Sequence, residues 1–273
     1  MAEHVRVSPQ WLLLREPADA AARSTELVDL LLAHLPVNER LVVHDLGGGS
    51  GAMGRWLAPR LPGPQHWVVH DRDPDLLEEV LARPAGKAAD GTDVTVEVRR
   101  SDITRLTHDD LAGVDLVVAS ALLDMLTARE LTAMLDACTG IARCPVLLAL
   151  TVVGRVALTP PDPLDARIAA AFNAHQRRTT AAGRLLGPDA AAAAAEVARA
   201  TGAEVHVRPS PWRLDADDRD LVVEWLDGWV DAACEQEPAL IGDADHYRAR
   251  RLAQAAAGGL TVTVDHSDVL VLP

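Results

Sequence analysis

The residues best placed for chemistry form a glycine cluster in residues 42–51, VVHDLGGGSG. In this segment an apolar run leads into the glycines and then into a predicted helix at residues 52–57. Glycine lets a backbone turn sharply and approach a ligand without a side chain in the way. The first turn of the following helix offers unpaired N–H groups. The segment therefore predicts a ligand-binding loop at the end of a buried strand.

Two kinds of ligand fit this loop. The segment from Gly49 to Gly54 has the GxGxxG spacing of a dinucleotide site, and Asp71 follows at about the distance that such a site requires. The segment from Asp45 to Gly51 instead resembles motif I of the class I S-adenosylmethionine (SAM) dependent methyltransferases, an acidic residue followed by GxGxG. We favour the second interpretation, because a carboxylate directly before the glycines suits an ammonium and a sulfonium better than a pyrophosphate.

Two features outside the loop support the resemblance. Asp102 follows the third predicted strand, where this family contacts adenine, and the chain ends in a strand that can close the sheet. The similarity covers about residues 40–151 well and residues 185–273 loosely. It implies SAM as the cofactor and assigns cofactor contacts to the ends of four strands. The assigned positions are Asp45, Gly47, Gly49, Gly51, Asp71, Arg72, Asp102, Ile103, Ala119 and Ser120.

At the adenosine end, the resemblance implies that Asp71 accepts hydrogen bonds from the ribose hydroxyls, with Arg72 beside the adenine. It implies that Asp102 accepts a hydrogen bond from the adenine amine, with Ile103 against the ring. Both carboxylates also have structural alternatives. Asp71 could cap the following helix, although Asp73 suits that role better, and Asp102 could stabilise a turn.

At the methionine end, the resemblance implies contacts from Asp45, Ala119 and Ser120, with the alternating glycines passing under the methionine and ribose parts. Methyl transfer from a sulfonium is an in-line displacement with an activated leaving group. Orientation alone can recover ~7–11 kcal/mol of the barrier, and a general base is needed only when the acceptor must lose a proton. We therefore leave the catalytic residue unassigned, with His175 and with Asp124, one helical turn beyond Ser120, as candidates.

The first predicted helix contributes a further cofactor candidate, Arg23. Arg15, Asp19 and Arg23 are spaced i, i+4, i+8, so they share one helix face if the helix continues through Pro17. The helix could then cover the cofactor, with Arg23 binding its carboxylate. The alternative is a surface salt-bridge stripe, which stabilises a protein little.

Other histidines and tryptophans have structural explanations. His44 and His70 could lie side by side as a hydrogen-bonded core pair; with no third ligand in register, no metal site is predicted. His266, in the last strand, is expected to face solvent. Trp225 and Trp229 share a helix face and could stack on a planar acceptor, or simply pack inside a cap.

The elements that must position these residues alternate along the chain. Apolar runs separated by predicted helices indicate a parallel sheet with helices on both faces, and the last strand can enter antiparallel. We predict an α/β, Rossmann-like fold with a seven-stranded, mainly parallel sheet, N-terminal helices and helical cap insertions. The predicted strands are residues 41–46, 66–71, 93–98, 114–119, 145–151, 204–210 and 261–272, and a helix is predicted at 121–138.

We expect a single domain over residues 1–273. An N-terminal helical segment at residues 1–38 precedes the sheet, and cap segments at residues 155–185 and 214–258 would cover the ligand face. The formal net charge of −14 disfavours a nucleic-acid partner. No apolar run reaches the ~20 residues that span a bilayer and no signal peptide is evident, so we expect a cytoplasmic protein without a membrane partner. The sequence indicates no oligomeric state.

Together these features predict a SAM-dependent methyltransferase that acts on a small-molecule acceptor. Two alternatives stay open. A nicotinamide-dependent, NAD(P) oxidoreductase would bind its dinucleotide and show no affinity for SAM. A SAM-binding protein without transfer activity would bind SAM and turn nothing over.

Overall fold

Helices and strands alternate along the computed structural model, which describes residues 7–36, 40–107 and 109–273. The helices are α1 (Pro9–Ala22), α2 (Thr25–Leu32), α3 (Ala52–Leu57), α4 (Pro74–Ala82), α5 (Ala128–Leu135), α6 (Asp165–Gln176), α7 (Ala190–Ala200), α8 (Arg219–Gln236) and α9 (Ile241–Ala256). The strands are β1 (Leu41–Leu46), β2 (Gln65–Asp71), β3 (Val94–Arg100), β4 (Leu116–Ser120), β5 (Val146–Thr159), β6 (Thr179–Thr180), β7 (Gly183–Arg184), β8 (Glu204–Pro209), β9 (Trp212–Leu214) and β10 (Thr261–Leu272).

The main sheet has the strand order β3-β2-β1-β4-β5-β10-β8, and β9 pairs with β10. The first five strands are parallel neighbours, whereas β10 is antiparallel to β5, β8 and β9. This confirms the predicted Rossmann-like fold and adds the short strand β9, which the sequence analysis did not predict. Dinucleotide-binding sheets typically have the order 3-2-1-4-5-6, so the antiparallel β10 beside β5 departs from that pattern.

Two predicted boundaries were wrong. The helix predicted at residues 121–138 begins only at Ala128, where Thr127 and Glu130 form a capping box. Asp124 therefore lies in a short 3-10 turn (Leu123–Met125) and not one helical turn beyond Ser120.

The other wrong boundary is the end of β5, which continues to Thr159 because its second half pairs with the start of β10. Residues 155–159 of the predicted cap segment therefore belong to the sheet. The division into one domain with cap segments stays a prediction. Residues 1–6 and 37–38 of the predicted N-terminal segment lie outside the described residues.

Apolar side chains fill both faces of the sheet. α2 and α3 pack on one face, and α5 and α7 pack on the other. The alanine run at residues 190–195 opens α7, and four of its alanines are buried, since small side chains allow the helix to approach the sheet closely. A third cluster joins α6, α8 and α9 to β9 and the start of β10.

A buried ion pair joins α9 to the start of α6. Arg251 of α9 is 0% exposed, and its Nη2 donates to both oxygens of Asp165, at the start of α6, at 2.5 and 2.6 Å. Its Nη1 donates to the carbonyl oxygen of Pro160 at 2.6 Å. The Tyr247 hydroxyl also donates to Asp165, at 2.7 Å. These contacts fix α9 against the segment that leads from β5 into α6.

Within residues 7–36, 40–107 and 109–273, none of the helices combines the length and the apolar composition that a bilayer crossing requires.

Candidate functional site

The glycine loop joins β1 to α3 at the carboxyl edge of the parallel strands. Gly47, Gly49 and Gly51 have φ values of +64°, +55° and +82°, which residues with a Cβ rarely adopt. A Cβ on Gly47 would also lie 2.9 Å from the Leu122 side chain. The alternating glycines are therefore required by the backbone conformation and, at Gly47, by close packing.

Asp45 lies directly under this loop. Its side chain is 0% exposed, and neither carboxylate oxygen has a hydrogen-bond partner in the part of the chain that the structure describes. A Cβ on Gly48 would lie 2.7 Å from Oδ2 of Asp45. Burial raises the pKa of Asp45 to about 7, and the nearby positive charge of Arg23 opposes that rise. The carboxylate is therefore held close to the loop without a neutralising contact.

Arg23 approaches the same region from the end of α1. It is only 4% exposed, and its Nη2 donates to Ser120 Oγ, at the end of β4, at 3.1 Å. Its Nε and Nη1 have no hydrogen-bond partner among the residues described. Burial lowers the pKa of the Arg23 guanidinium, and the charge of Asp19 opposes the shift. Ala119, which precedes Ser120, is buried in the sheet.

Asp71, at the end of β2, supports the loop from its other side. One of its carboxylate oxygens accepts a hydrogen bond from Gly49 N at 2.9 Å, and the other accepts one from Asp73 N at 2.9 Å. Asp73 is the N-cap of α4, as the sequence suggested. Asp71 therefore links the glycine loop to the start of the next helix.

Asp102 and Arg72 lie close together beyond the ends of β3 and β2. Both are exposed, and Arg72 Nη2 lies 3.7 Å from a carboxylate oxygen of Asp102. Asp102 also accepts hydrogen bonds from the backbone N–H and hydroxyl of Thr104, at 3.1 and 2.7 Å. Ile103 is buried. Asp102 thus has the turn-stabilising role that was its structural alternative, and its exposed carboxylate remains accessible to a ligand.

Helix α1 lies across the loop. It continues through Pro17, as the spacing argument required, and Arg15 donates to Asp19 at 3.0 and 3.1 Å. A Cβ on Gly49 would lie 3.2 Å from Leu12, which places this helix against the glycine backbone.

A second contact of α1 was not predicted: Glu16 accepts two hydrogen bonds from Arg55 of α3, at 2.6 and 2.7 Å. The two residues are 39 positions apart in the chain, and no local pattern links them. Arg55 also donates to the Ser50 carbonyl oxygen at 2.7 Å. The arginine therefore fixes the end of the glycine loop and the covering helix together.

The two candidate bases lie in different places. Asp124 is partly buried, Gln176 Nε2 donates to it at 3.4 Å, and burial raises its pKa to about 6 against the positive charge of Arg15. His175 instead contacts Glu235 of α8, with 3.2 Å between Nε2 and the carboxylate. Asp124 lies two residues beyond Leu122, whose side chain packs on Gly47, whereas His175 belongs to the contact between α6 and α8.

The structure brings His44 and His70 together in the core. Nδ1 of His44 and Nε2 of His70 are 3.1 Å apart, and His70 Nδ1 lies 2.9 Å from Ser101 Oγ. Both rings are buried, and burial lowers the pKa of each to about 4. In the described ranges no group of three histidine, cysteine or carboxylate side chains could hold a metal ion.

His266 was expected to face solvent, and that expectation was wrong. It is 4% exposed, and its ring centre lies 5.2 Å from that of Trp212. β9, which carries Trp212, pairs with β10 just before His266 and brings the indole over it.

Known proteins resemble this chain in sequence over one segment and in fold over nearly its whole length. Residues 43–143 match the family model described as a methyltransferase domain, and no curated protein matches the sequence. The cyclopropane synthase MmaA2 from Mycobacterium tuberculosis has a similar fold, with 15% identity, 97% of this chain and 94% of that chain covered, and a TM-score of 0.50. A SAM-dependent methyltransferase from Geobacter sulfurreducens, in complex with S-adenosyl-L-homocysteine, has 14% identity, covers 97% and 98% of the two chains and has a TM-score of 0.46. Residues 43–143 therefore match a methyltransferase domain, and the fold of the whole chain is similar to that of this cyclopropane synthase.

Proposed function

We propose that this methyltransferase transfers the methyl group of SAM to a small-molecule acceptor. The observation that carries the proposal is the pair of buried, opposite charges on Arg23 and Asp45. Each has polar atoms without a partner among the described residues, and they do not hydrogen-bond to each other. Buried charges are costly unless they are paired. A ligand that carries both an ammonium and a carboxylate, as the methionine part of SAM does, would satisfy both.

The strand ends fit the adenosine part of SAM. Each carboxylate oxygen of Asp71 accepts one backbone N–H, and such an oxygen has two lone pairs, which leaves capacity for ribose hydroxyls. Asp102 and Arg72 are exposed at the neighbouring strand ends, where the carboxylate would accept a hydrogen bond from the adenine amine. These roles, like those of Ile103, Ala119 and Ser120, are part of the proposal.

The protein's own contribution to the reaction would be orientation and exclusion of water. SAM supplies a sulfonium-bound methyl group that needs no further activation. Arg23 and Asp45 would fix its amino-acid end, and α1 would cover the loop. As the acceptor lone pair bonds to the methyl carbon, the carbon–sulfur bond breaks and S-adenosylhomocysteine leaves. An acceptor that must lose a proton would transfer it to Asp124, two residues beyond the Leu122 side chain that packs on Gly47.

Composition supports a small-molecule acceptor, because a formal net charge of −14 opposes binding of a phosphate backbone. The cap helices would cover the acceptor. A cytoplasmic location stays a prediction of the sequence.

Calorimetry with SAM, S-adenosylhomocysteine and NAD tests the proposal, followed by an acceptor screen that detects released S-adenosylhomocysteine. We expect binding of the first two ligands, no binding of NAD, and turnover with at least one acceptor. Binding of NAD without binding of SAM would establish the oxidoreductase alternative. Binding of SAM without turnover across the screen would favour a SAM-binding protein.

A further inference from the structure

A cavity of about 260 Å³ lies between α1, α6 and α8, and its lining is separate from the residues that we assign to SAM. Its walls are mainly aromatic. They comprise Trp11, Phe172, Glu224, Trp225, Gly228 and Trp229.

The tryptophans of α8 present a flat aromatic wall. The rings of Trp225 and Trp229 are stacked, with 5.0 Å between centroids and 19° between planes, as their shared helix face predicted. Trp229 is 2% exposed, and its Nε1 has no hydrogen-bond partner among the described residues, which leaves a donor for a ligand. Trp225, Trp11 and Phe172 are partly exposed, so this lining is accessible from solvent.

The charge of the cavity favours a cation. Glu224 is the one charged side chain among the described residues of its lining, and the faces of tryptophan rings attract positive charge more strongly than those of other aromatic residues. Arg15 lies over Trp11, 5.9 Å from the ring centre, but it is already paired with Asp19. The cavity therefore combines a carboxylate with aromatic faces.

The volume limits what can bind. A cavity of about 150 Å³ is enough for benzene, and pockets for whole small ligands usually have volumes of roughly 300–1,000 Å³. This cavity therefore suits one ring or one compact ammonium group and not a large ligand. Trp11 lines it, while the next residue, Leu12, packs against Gly49 of the loop. One turn of α1 thus contacts both the cavity and the glycine loop.

We propose that this cavity binds a positively charged group, about the size of one ring, that belongs to the methyl acceptor. The role as an acceptor site rests on the proposed function, whereas binding of the cation does not. The acceptor is then an organic cation whose charged group is held between the α8 tryptophans and Glu224.

The test uses phenyltrimethylammonium and its neutral isostere tert-butylbenzene as probes, titrated into the full-length protein with and without S-adenosylhomocysteine. Tryptophan fluorescence and ligand-observed NMR report binding. Because cation–π contacts contribute roughly 0.5–2 kcal/mol, we expect the cation to bind about 2- to 30-fold more tightly than the isostere. Glu224→Gln and Trp225→Leu should each lower the affinity for the cation at least about threefold.

Glu235→Gln is the matched control. Glu235 lies 11 residues beyond Glu224, three turns along the same face of α8, and outside the cavity lining. The substitution should therefore leave the affinity for the cation unchanged. S-adenosylhomocysteine affinity, measured on each variant, shows that the fold is intact, and Glu224→Gln keeps the test valid if Trp225→Leu fails to fold.

Equal affinity for the cation and its isostere, or insensitivity to Glu224→Gln, would overturn the inference even if S-adenosylhomocysteine binds. Binding of the cation by a protein that binds no S-adenosylhomocysteine would instead refute the proposed function and, with it, the acceptor role. Competitive inhibition of methyl transfer by phenyltrimethylammonium would support both the cation site and the proposed function.

Discussion

In the proposed SAM site, Arg23 and Asp45 come from parts of the chain that are 22 residues apart in sequence. Arg23 is held beside Ser120 by one hydrogen bond, and its other nitrogens are unused among the described contacts. A buried charge with spare donors is a strong ligand contact, because the cost of its desolvation is already present before the ligand binds.

Arg23→Ala should therefore weaken binding of S-adenosylhomocysteine by about 10- to 100-fold. A hydrogen bond to a charged group contributes roughly 1.5–3 kcal/mol, and its loss has an effect of this size on affinity. Methylthioadenosine lacks the amino-acid end, so its affinity should not change. Calorimetry with both ligands measures the difference, and Arg40→Ala, an exposed arginine that donates to Thr95, is the control. Equal losses for the two ligands would show that Arg23 does not bind the carboxylate.

Asp124 yields a prediction of pH dependence. Burial raises its pKa to about 6, and a base must be deprotonated to act, so kcat/KM with an acceptor that loses a proton should rise as pH increases through about 6 and level off above it. Asp124→Asn should lower kcat by roughly 10²–10⁴-fold. His175→Gln, at the α6–α8 contact, should leave the pH profile unchanged. A profile that is identical in wild type and Asp124→Asn would rule out this role.

At the scale of elements, α9 is held by a hydrogen-bond network centred on Arg251, which has no contact with solvent. Arg251 lies between Asp165 and the Pro160 carbonyl, and its neighbour Arg250 pairs with Asp162 at a half-exposed position. Adjacent arginines on one helix thus make one buried and one surface ion pair.

Arg251→Ala should lower the free energy of unfolding by about 3–5 kcal/mol, because it leaves the Asp165 carboxylate without its buried partner. Arg250→Ala should lower the free energy of unfolding by less than about 1 kcal/mol, as expected for a surface ion pair. Urea unfolding of both variants measures the contrast. Similar losses for the two variants would mean that the buried network does not anchor the cap helices.

Elements were predictable from sequence where their signal is local. β1, α3 and β10 have the bounds that their apolar runs and flanking glycines indicated, because strand and helix periodicities are properties of a few adjacent residues. The extension of β5 to Thr159 was not predictable, since it depends on pairing with β10, about 100 residues later. β9, with only three residues, has too short a pattern to be recognised.

The same distinction holds for the candidate site. Gly47, Gly49 and Gly51 were identifiable because positive φ values require their residue type. The burial of His266 and the pairing of Glu16 with Arg55 arise from contacts between remote segments, and neither residue has a local signature. Helical spacing made Arg23 a candidate beside the alternative of a surface salt-bridge stripe, whereas its burial and its lack of a full set of partners appear only in three dimensions.

At the scale of the whole molecule, buried ionisable groups make stability depend on pH in two opposing ways. Burial lowers the pKa of His44, His70 and His266 to about 4, below the value of about 6.5 in an unfolded chain. Their stabilising contribution is present above pH 6.5 and is lost as pH falls towards 4, because the unfolded state binds more protons in that window. Asp45 and Asp124 act in the other direction: burial raises the pKa of Asp45 to about 7 and that of Asp124 to about 6, so stability is lost as pH rises from about 4 through these values.

Three histidines outweigh two aspartates between pH 5 and pH 7, since each group changes the free energy of unfolding by on the order of 1–2 kcal/mol over that range. Urea unfolding should therefore show a protein that is more stable at pH 7 than at pH 5 by on the order of 2 kcal/mol. His266→Gln should reduce this difference, because it removes a titrating ring held beside Trp212, whereas His34→Gln, at an exposed position, should preserve it. Stability that stays constant or falls from pH 5 to pH 7 would show that these histidines are not held neutral in the core.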